Sequence, residues 1–260
     1  IHMTFGTALH EVLQHYLDVM YETSGAEADR IDIEELFENT LRECYANDYK
    51  KNKGKHFSSP EELREFFDDG KAILNNFKKK KGVHFNKKGW HLVGCEIPIV
   101  IAPNMRINRV KYMGYLDIVM YHEPTNTFKI IDIKTSTKGW GSYAKKDESK
   151  QFQLVLYKHF FSKQYNIPIE NIDIEFFIVR RKVYLDGEYP QKRIQTFVPA
   201  SGRNKVNKAT NNLNEFINKA FNLDGSYKDT IFTAKPSKWN CNFCPYKTNT
   251  ELCNAVGKNF

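Results

Sequence analysis

Two aspartates and one lysine lie in segments that are otherwise rich in apolar residues. Asp117 ends the segment GYLD at 114–117, and Asp132 and Lys134 lie within IIDIKT at 130–135. A carboxylate among isoleucines is costly to desolvate, so it requires a metal ion, a cation or a set of hydrogen bonds. Because strand residues two apart share a face, Asp132 and Lys134 point to the same side. The pattern therefore predicts a charged site on one face of a sheet.

A divalent cation would allow the two carboxylates to lie close together. If the strands of Asp117 and Asp132 pair, the two groups repel each other unless a cation lies between them. Hard oxygen ligands favour Mg²⁺ or Mn²⁺, and such an ion can activate water and stabilise charge on a phosphodiester. Lys134 would then position or deprotonate the attacking water, or neutralise the developing charge. The alternative is that Asp132 and Lys134 only alternate outward on a half-solvated strand.

The first ninety residues carry helical patterns. Apolar residues recur at helical spacing around His10, with Thr7 as a candidate cap. Capping-box patterns open two further helices, one at Asp32 and one at Ser59. The lysine-rich run that follows predicts the end of the second helix, with Gly82 as its stop. A lone helical histidine is most often structural, so His10 gains weight as a metal ligand only from its companions.

The pattern changes to that of strands after residue 90. Strands are predicted at 91–101, 109–121, 128–135, 172–183 and 192–198, and helices at 148–165 and, opened by Ser201, at 201–221. Proline and asparagine turns separate the first three strands, which predicts an antiparallel meander within an α/β fold. We predict a helical part at 1–90, a core at 91–222 and a cysteine-containing segment at 223–260 packed on the core.

The composition is that of a globular protein with a basic surface. Of the 260 residues, 41% are hydrophobic and 14% aromatic, which allows a large core without disulfides. The excess of 39 Lys+Arg over 31 Asp+Glu gives +8, which suits an anionic partner such as DNA. With no membrane span and no signal peptide recognised, we expect a cytoplasmic protein of a bacterial or phage-infected cell. The opening IHM, followed at once by a helix, suggests a longer parent chain.

Four motifs, in order, resemble those of the RecB-type branch of the PD-(D/E)XK nuclease superfamily. They are GTALH at 6–10, GYLD at 114–117, DIK at 132–134 and QLVLY at 153–157, which match G-x-x-x-H, G-x-x-D, D-x-K and Q-x-x-x-Y. Leu116 replaces the proline that the superfamily has before its first aspartate, a departure common in this branch. The resemblance implies a restriction-endonuclease-like core with a mixed central sheet flanked by helices.

The resemblance also implies roles for individual residues. The implied metal ligands are His10, Asp117, Asp132 and the carbonyl of Ile133, the implied catalytic lysine is Lys134, and the residues implied near the DNA backbone are Gln153 and Tyr157. Glu96 lies in the first predicted strand, where related nucleases often carry a glutamate. We leave two interpretations open for Glu96: a position near the metal ion, or an ion pair on the strand surface.

By this resemblance the chain is a metal-dependent deoxyribonuclease. The implied activity is that of an exonuclease on single-stranded DNA or DNA ends in recombination, repair or phage DNA metabolism, with a helicase or recombination partner. The alternatives are an endonuclease or CRISPR spacer-acquisition nuclease of the same branch, a non-catalytic DNA-binding module, and a structural protein whose strand carboxylates form ion pairs. The presence of Asp117, Asp132 and Lys134 argues against the DNA-binding module.

Basic residues cluster near the predicted site. They are Lys145, Lys146 and Lys150 before the helix of Gln153, Arg180, Arg181, Lys182, Lys192 and Arg193 on the next strand pair, and Arg203, Lys205 and Lys208 on the last helix. Such residues could neutralise DNA phosphates along a groove, with Trp140 or Tyr143 available to stack on bases. Because a charge run is more often a solvated face, the prediction concerns the cluster as a whole.

Three of the five cysteines lie near the C-terminus. Cys241 and Cys244 form a C-x-x-C motif, Cys253 follows, and three thiolates are one short of a closed tetrahedral site. The arrangement resembles RecB-type nucleases with a four-cysteine [4Fe-4S] cluster, among them AddB-like, CRISPR-associated and phage exonucleases, whose fourth ligand usually lies upstream of the G-x-x-x-H helix. Truncation would explain the missing ligand. Otherwise Cys44, Cys95 or a histidine supplies it, the ion is Zn²⁺, or the thiols bind no metal.

Overall fold

The computed structural model describes residues 1–85, 88–184, 191–229, 236–242, 244–249 and 251–253. Its helices are α1 (His2–Glu22), α2 (Gly25–Arg30), α3 (Ile33–Lys51), α4 (Pro60–His84), α5 (Ser142–Lys146), α6 (Glu148–Tyr165), α7 (Arg203–Ala220) and α8 (Lys238–Asn242). Its strands are β1 (Trp90–Ile101), β2 (Tyr112–His122), β3 (Thr127–Ser136), β4 (Ile172–Arg180) and β5 (Ile194–Phe197). None of the helices in these ranges combines the length and the apolar character that crossing a bilayer requires.

The five strands of the described ranges form one mixed sheet in the order β1-β2-β3-β4-β5. β2 runs antiparallel to β1 and to β3, β4 is parallel to β3, and β5 is antiparallel to β4. A parallel pair needs a long crossover connection, which α6 supplies between β3 and β4. The predicted α/β fold, with an antiparallel meander, a helix and further strands behind a helical N-terminal part, is confirmed.

The two capping-box predictions are confirmed, whereas the short helices α2, α5 and α8 were missed. The side chains of Asp32 and Ser59 accept backbone hydrogen bonds at the starts of α3 and α4. Ser24 caps the six-residue helix α2 in the same way. A helix of this length shows too few apolar repeats to be recognised from periodicity.

Three predicted helix ends were wrong. The apolar stripe of α1 extends back to Phe5, so Thr7 lies inside the helix and its hydroxyl donates to the carbonyl of Met3. α4 continues through Gly82, because an exposed helix tolerates one glycine at a cost of about 1 kcal/mol. At the start of α7 it is Gly202, rather than Ser201, that occupies the N-cap position.

The sheet is covered on both faces by separate hydrophobic clusters. The first cluster joins α1, α3 and α4 to one face of the sheet, through strand residues such as Ile131 and Ile133. The second joins α6 and α7 to the opposite face, through residues such as Ile130 and Phe176. Leu9, Leu13 and other residues of the α1 stripe are fully buried in the first cluster. α1 is therefore fixed against the sheet, close to the strands that carry the two aspartates.

β1 is irregular near its middle. Its register with β2 shifts between Leu92 and Gly94, and Glu96 has a left-handed backbone with φ of 51°. Left-handed φ is rare for a residue other than glycine, asparagine or aspartate. As a result Cys95 packs on the first hydrophobic cluster, on the side of α1, whereas Ile97 packs on the second, on the side of α6. The irregularity brings Glu96 out of the regular alternation at the point where β1 passes α1.

Candidate active site

Asp117 lies where β2 leaves β3. The paired register of the two strands ends at Ile118 and Ile131. The next free amide of β3, that of Ile133, donates to Asp117 Oδ2 at 2.6 Å. His10 approaches the same carboxylate from α1, with 3.7 Å between Nδ1 and Oδ2. One aspartate oxygen therefore stands between a strand amide and the imidazole of the first helix.

Asp132 is the most buried charged group of the site, with 2% of its surface exposed. Lys134 Nζ lies 2.8 Å from Asp132 Oδ2. This ammonium group is the partner of Oδ2 among the described residues and opposes the rise in the Asp132 pKa. Burial makes the charged carboxylate costly even with this partner.

A chain of side chains from α6 holds the lysine. Lys134 Nζ donates to Gln153 Oε1 at 3.2 Å, and Gln153 Nε2 donates to the Tyr157 hydroxyl at 3.1 Å. Gln153 and Tyr157 are one helical turn apart, so both face β3 from the same side of α6. The lysine thus contacts a carboxylate on one side and a fixed amide on the other.

Burial governs the protonation of the site. It raises the pKa of Asp117 and of Asp132 to about 6, against the opposing effect of Lys134. Burial also lowers the pKa of His10, although the charge of Asp132 acts in the opposite direction. Near neutral pH the imidazole is therefore neutral, as a metal ligand must be, while the carboxylates are charged at a desolvation cost.

Gln14 is a site residue that sequence reasoning missed. It is buried on α1, one turn after His10, and its Nε2 donates to Glu96 Oε1 at 2.7 Å and to the Asp117 carbonyl at 2.9 Å. A polar residue within the apolar stripe of α1 was the available signal. Glu96 is exposed as a residue, but this bond holds its carboxylate against α1. An ion pair between Glu96 and a basic side chain is not among the contacts of the described residues.

The donor chemistry of the site fits a divalent cation. Asp117, Asp132 and Glu96 carry three negative charges against the one positive charge of Lys134, and an imidazole nitrogen stands beside them. The buried carboxylate of Asp132 is the feature that a cation would satisfy. Within the described ranges, however, no three His, Cys, Asp or Glu side chains gather closely enough to hold an ion. The complete ligand set stays a prediction.

A family model for the PD-(D/E)XK nuclease superfamily matches residues 2–249. The chain belongs to the PD-(D/E)XK nuclease superfamily. The superfamily predicted from the four motifs is thereby confirmed, and membership supports a metal-dependent nuclease that acts on DNA. Nucleases of this superfamily generally use divalent metal ions. No curated protein sequence gives a significant match to the chain.

Tyr157 of this nuclease lies close to the site, as the resemblance implies, and its contact with the DNA backbone stays a prediction. Its ring is buried against Gly114 of β2, and its hydroxyl is bonded to Gln153. Only 7% of the residue's surface is exposed. Tyr157 supports Gln153, and through it Lys134, whereas a DNA contact for Gln153 itself stays a prediction.

Ion pairs neutralise part of the predicted basic cluster. Arg181 and Lys182 both pair with Asp69 of α4, and Arg181 also lies over the ring of Phe66. Lys205 and Lys208 both pair with Glu148. These four residues hold helices to the nuclease core, and whether the basic cluster as a whole lines a phosphate groove stays a prediction.

The predicted DNA-binding lysines lie on α5 and at the start of α6. Lys146 is exposed, Lys145 lies over the ring of Phe197, and Lys150 lies over Trp140 and 3.8 Å from Asp147. Trp140 itself packs on the aromatic residues Phe176 and Phe197 rather than standing free for base stacking. Tyr143, by contrast, is fully exposed.

The C-terminal cysteines lie in short described segments. Cys241 lies within α8, and the backbone amide of Cys244 donates a hydrogen bond to the Cys241 carbonyl at 3.3 Å. The amide of Cys253 donates to the carbonyl of Asn249 at 3.0 Å. Cys95 and Cys44, named above as alternative fourth ligands, pack against the first hydrophobic cluster instead. Burial raises the pKa of both thiols, that of Cys44 to about 11, which disfavours the thiolate that a metal requires.

Proposed function

We propose that this nuclease hydrolyses DNA phosphodiester bonds with Mg²⁺ or Mn²⁺ held by His10, Asp117, Asp132, the Ile133 carbonyl and Glu96. The observation that carries the proposal is the buried carboxylate of Asp132, which has the ammonium group of Lys134 at 2.8 Å and lies on β3, the strand whose Ile133 amide binds Asp117. When bound, the ion would activate water and stabilise charge on the scissile phosphate.

Each side chain of the site has a distinct role in this proposal. Lys134 is the catalytic lysine: its ammonium group positions the attacking water and stabilises negative charge on the phosphate oxygens. Gln153 keeps Nζ of Lys134 directed at the site, and Tyr157 keeps the Gln153 amide in that orientation. His10 supplies a neutral nitrogen, because burial holds its pKa below the ordinary value.

The proposed mode of action is that of an exonuclease on single-stranded DNA or DNA ends, in recombination, repair or phage DNA metabolism. The motif resemblance supports this mode, together with the exposed Lys146 and its neighbours Lys145 and Lys150 as phosphate contacts. An endonuclease or a CRISPR spacer-acquisition nuclease would use the same site. A helicase or recombination partner would supply the substrate.

We further propose a metal site at Cys241, Cys244 and Cys253, holding a [4Fe-4S] cluster or Zn²⁺. The C-x-x-C spacing supports it, and a fourth ligand would complete the site. Anaerobic purification of the protein tests the proposal. Absorbance at about 400 nm indicates the cluster, stoichiometric zinc without it indicates the zinc alternative, and neither metal contradicts the proposal.

The activity is tested with end-labelled linear and circular single-stranded DNA in Mg²⁺ or Mn²⁺. Degradation of the linear form alone supports an exonuclease, and degradation of both forms an endonuclease. Asp132→Ala and Lys134→Ala should each abolish it. Lys129→Ala is the matched control, because Lys129 lies on the same strand but outside the site. Its Nζ pairs with Glu175 Oε2 at 2.9 Å. Degradation by both site variants contradicts the site, and an inactive wild type contradicts the proposed function.

A further inference from the structure

One face of the β1–β2 hairpin is open and apolar. Pro98 pairs with Tyr115, and Val100 pairs with Met113, so all four side chains lie on the same face. Val100, Met113 and Tyr115 are 51%, 63% and 54% exposed, and Pro98 is exposed as well. A cluster of this size is more than the isolated apolar residues that any surface carries. We call these four residues the hairpin face.

The opposite face of the same hairpin is fully packed. Ile99 and Leu116, which alternate with the residues of the hairpin face, are buried in the cluster formed with α6. The hairpin is therefore held firmly by α6, and the exposure of its other face is not a result of loose packing. A rigid strand pair that presents aromatic and apolar side chains is suited to hold a ligand.

The hairpin face leads directly to the candidate active site. Tyr115 is two residues from Asp117, a distance of about 7 Å along a strand. Pro98 is likewise two residues from Glu96, whose carboxylate is held by Gln14. A polymer with one phosphate beside Asp117 and Glu96, on the side of the sheet that α1 covers, would therefore extend its next units over Tyr115 and Met113.

The far end of the hairpin face is basic. Arg106, Arg109 and Lys111 are all exposed in the connection between β1 and β2. Arg109 is near Asp224, whose pKa its charge helps to lower, so Arg106 and Lys111 are the more available cations. A surface that places aromatic and apolar side chains between cations and a nuclease site matches the way proteins hold single-stranded nucleic acid.

We propose that the hairpin face binds single-stranded DNA beside the scissile phosphate, a step that rests on the proposed function. A base stacks on Tyr115, neighbouring bases pack on Met113, Val100 and Pro98, and Arg106 and Lys111 neutralise phosphates. Duplex DNA gains less from this face, because its bases are stacked on one another and present no free faces. A second copy of the chain on this face would leave the basic connection without a negative partner.

Binding without cleavage is the direct test. Anisotropy of a labelled oligothymidylate, measured in EDTA, should show that Tyr115→Ala weakens binding by roughly 5- to 100-fold. Tyr115→Trp should keep the affinity, since it keeps a stacking surface, and binding to duplex of the same length should change less than twofold. Tyr184→Ala is the matched control, because Tyr184 is 60% exposed after β4. Melting temperatures of all variants exclude unfolding as the cause.

The outcomes separate this proposal from the proposed function. Equal affinity of Tyr115→Ala and the wild type overturns the hairpin face, whatever the nuclease activity is. A Tyr115→Ala variant that changes from dimer to monomer with unchanged DNA affinity also overturns it, in favour of a second copy. Asp132→Ala should lose cleavage and keep binding, whereas a wild type that binds but never cleaves contradicts only the proposed function.

Discussion

Gly114 of β2 packs directly against the ring of Tyr157 on α6. A Cβ atom at position 114 would stand 2.7 Å from Tyr157 Cε1, closer than real Cβ contacts allow. The Tyr157 hydroxyl accepts a hydrogen bond from Gln153, which in turn accepts one from Lys134. The glycine of the GYLD segment thus makes room for the ring that supports the lysine, three residues before the aspartate that the same strand brings to the site.

Gly114→Ala should destabilise the protein by about 1–3 kcal/mol, because the added methyl group forces the Tyr157 ring aside. It should also lower kcat, since Gln153 loses its support. Urea unfolding and steady-state cleavage measure the two effects. The control is Gly82→Ala: no atom lies within 4 Å of a Cβ there, and the helix should gain up to about 1 kcal/mol. Equal stability of Gly114→Ala and the wild type would contradict this packing.

Gln153→Ala should lower kcat by about 10- to 100-fold with a much smaller change in KM, since it releases Lys134 from its fixed orientation. Steady-state kinetics on linear single-stranded DNA measure the two constants. The control on the same helix is Gln164→Ala, because Gln164 bonds the β1 backbone at Val100 and Pro98 rather than the site. This control should lose stability and keep kcat. A drop in kcat of equal size for both variants would indicate a general structural effect.

The strand placement of the two aspartates was predictable, because charged residues at alternate positions of an apolar strand leave few alternatives. Gln14 was not predictable: its partners, Glu96 and the Asp117 carbonyl, are more than eighty residues away and depend on how α1 crosses β1. The left-handed backbone of Glu96 also has no sequence signal, since glutamate rarely adopts it.

The basic residues show a second limit of sequence reasoning. Arg181 and Lys182 appeared free for phosphates when only their neighbours in sequence were considered. Asp69, which neutralises both, lies on a helix more than a hundred residues earlier. Charge counts along a chain therefore predict the sign of a surface, but the fold decides which of its cations remain available.

Asp132→Asn should stabilise the metal-free protein at neutral pH by on the order of 1–3 kcal/mol. The pKa of Asp132 is raised from 3.8 to about 6, so the native state holds a proton that the unfolded chain has lost between these values. The free energy of unfolding contributed by this group therefore falls as pH rises through that window. Asparagine carries no charge, so the substitution removes the cost of burying the charged carboxylate. Urea unfolding in EDTA below and above the window measures the difference.

Glu148, whose pKa is lowered rather than raised, serves as the control for that experiment. The pKa of Glu148 is lowered to about 2 by Lys205 and Lys208, so its contribution is present above its ordinary pKa of 4.5 and lost below it. Glu148→Gln should therefore reduce stability at neutral pH, in the direction opposite to Asp132→Asn. Destabilisation by both substitutions would contradict the buried charge penalty at Asp132.

Mn²⁺ should raise the melting temperature of the wild type and leave that of Asp132→Asn unchanged. An ion that binds only the native state stabilises it by about 2.7 kcal/mol at a concentration of 100 times its Kd. The effect should weaken as pH falls below about 6, because protons then compete for Asp117 and Asp132. Glu175→Gln, which alters a carboxylate of β4 paired with Lys129, should respond to Mn²⁺ as the wild type does. An equal response of Asp132→Asn would place the ion elsewhere.

Gln14→Leu should weaken Mn²⁺ binding by about 10- to 100-fold, as the loss of a residue that orients a metal ligand does. The amide holds the Glu96 carboxylate against α1, where the left-handed backbone of Glu96 directs it. Leucine keeps the volume of the side chain but leaves Glu96 and the Asp117 carbonyl without their donor, at about 1–3 kcal/mol of stability. Isothermal titration with Mn²⁺ compares Gln14→Leu, Glu96→Ala and the double variant. If Gln14 acts through Glu96, the double variant loses no more affinity than Glu96→Ala alone, whereas additive losses would mean that the two residues act independently.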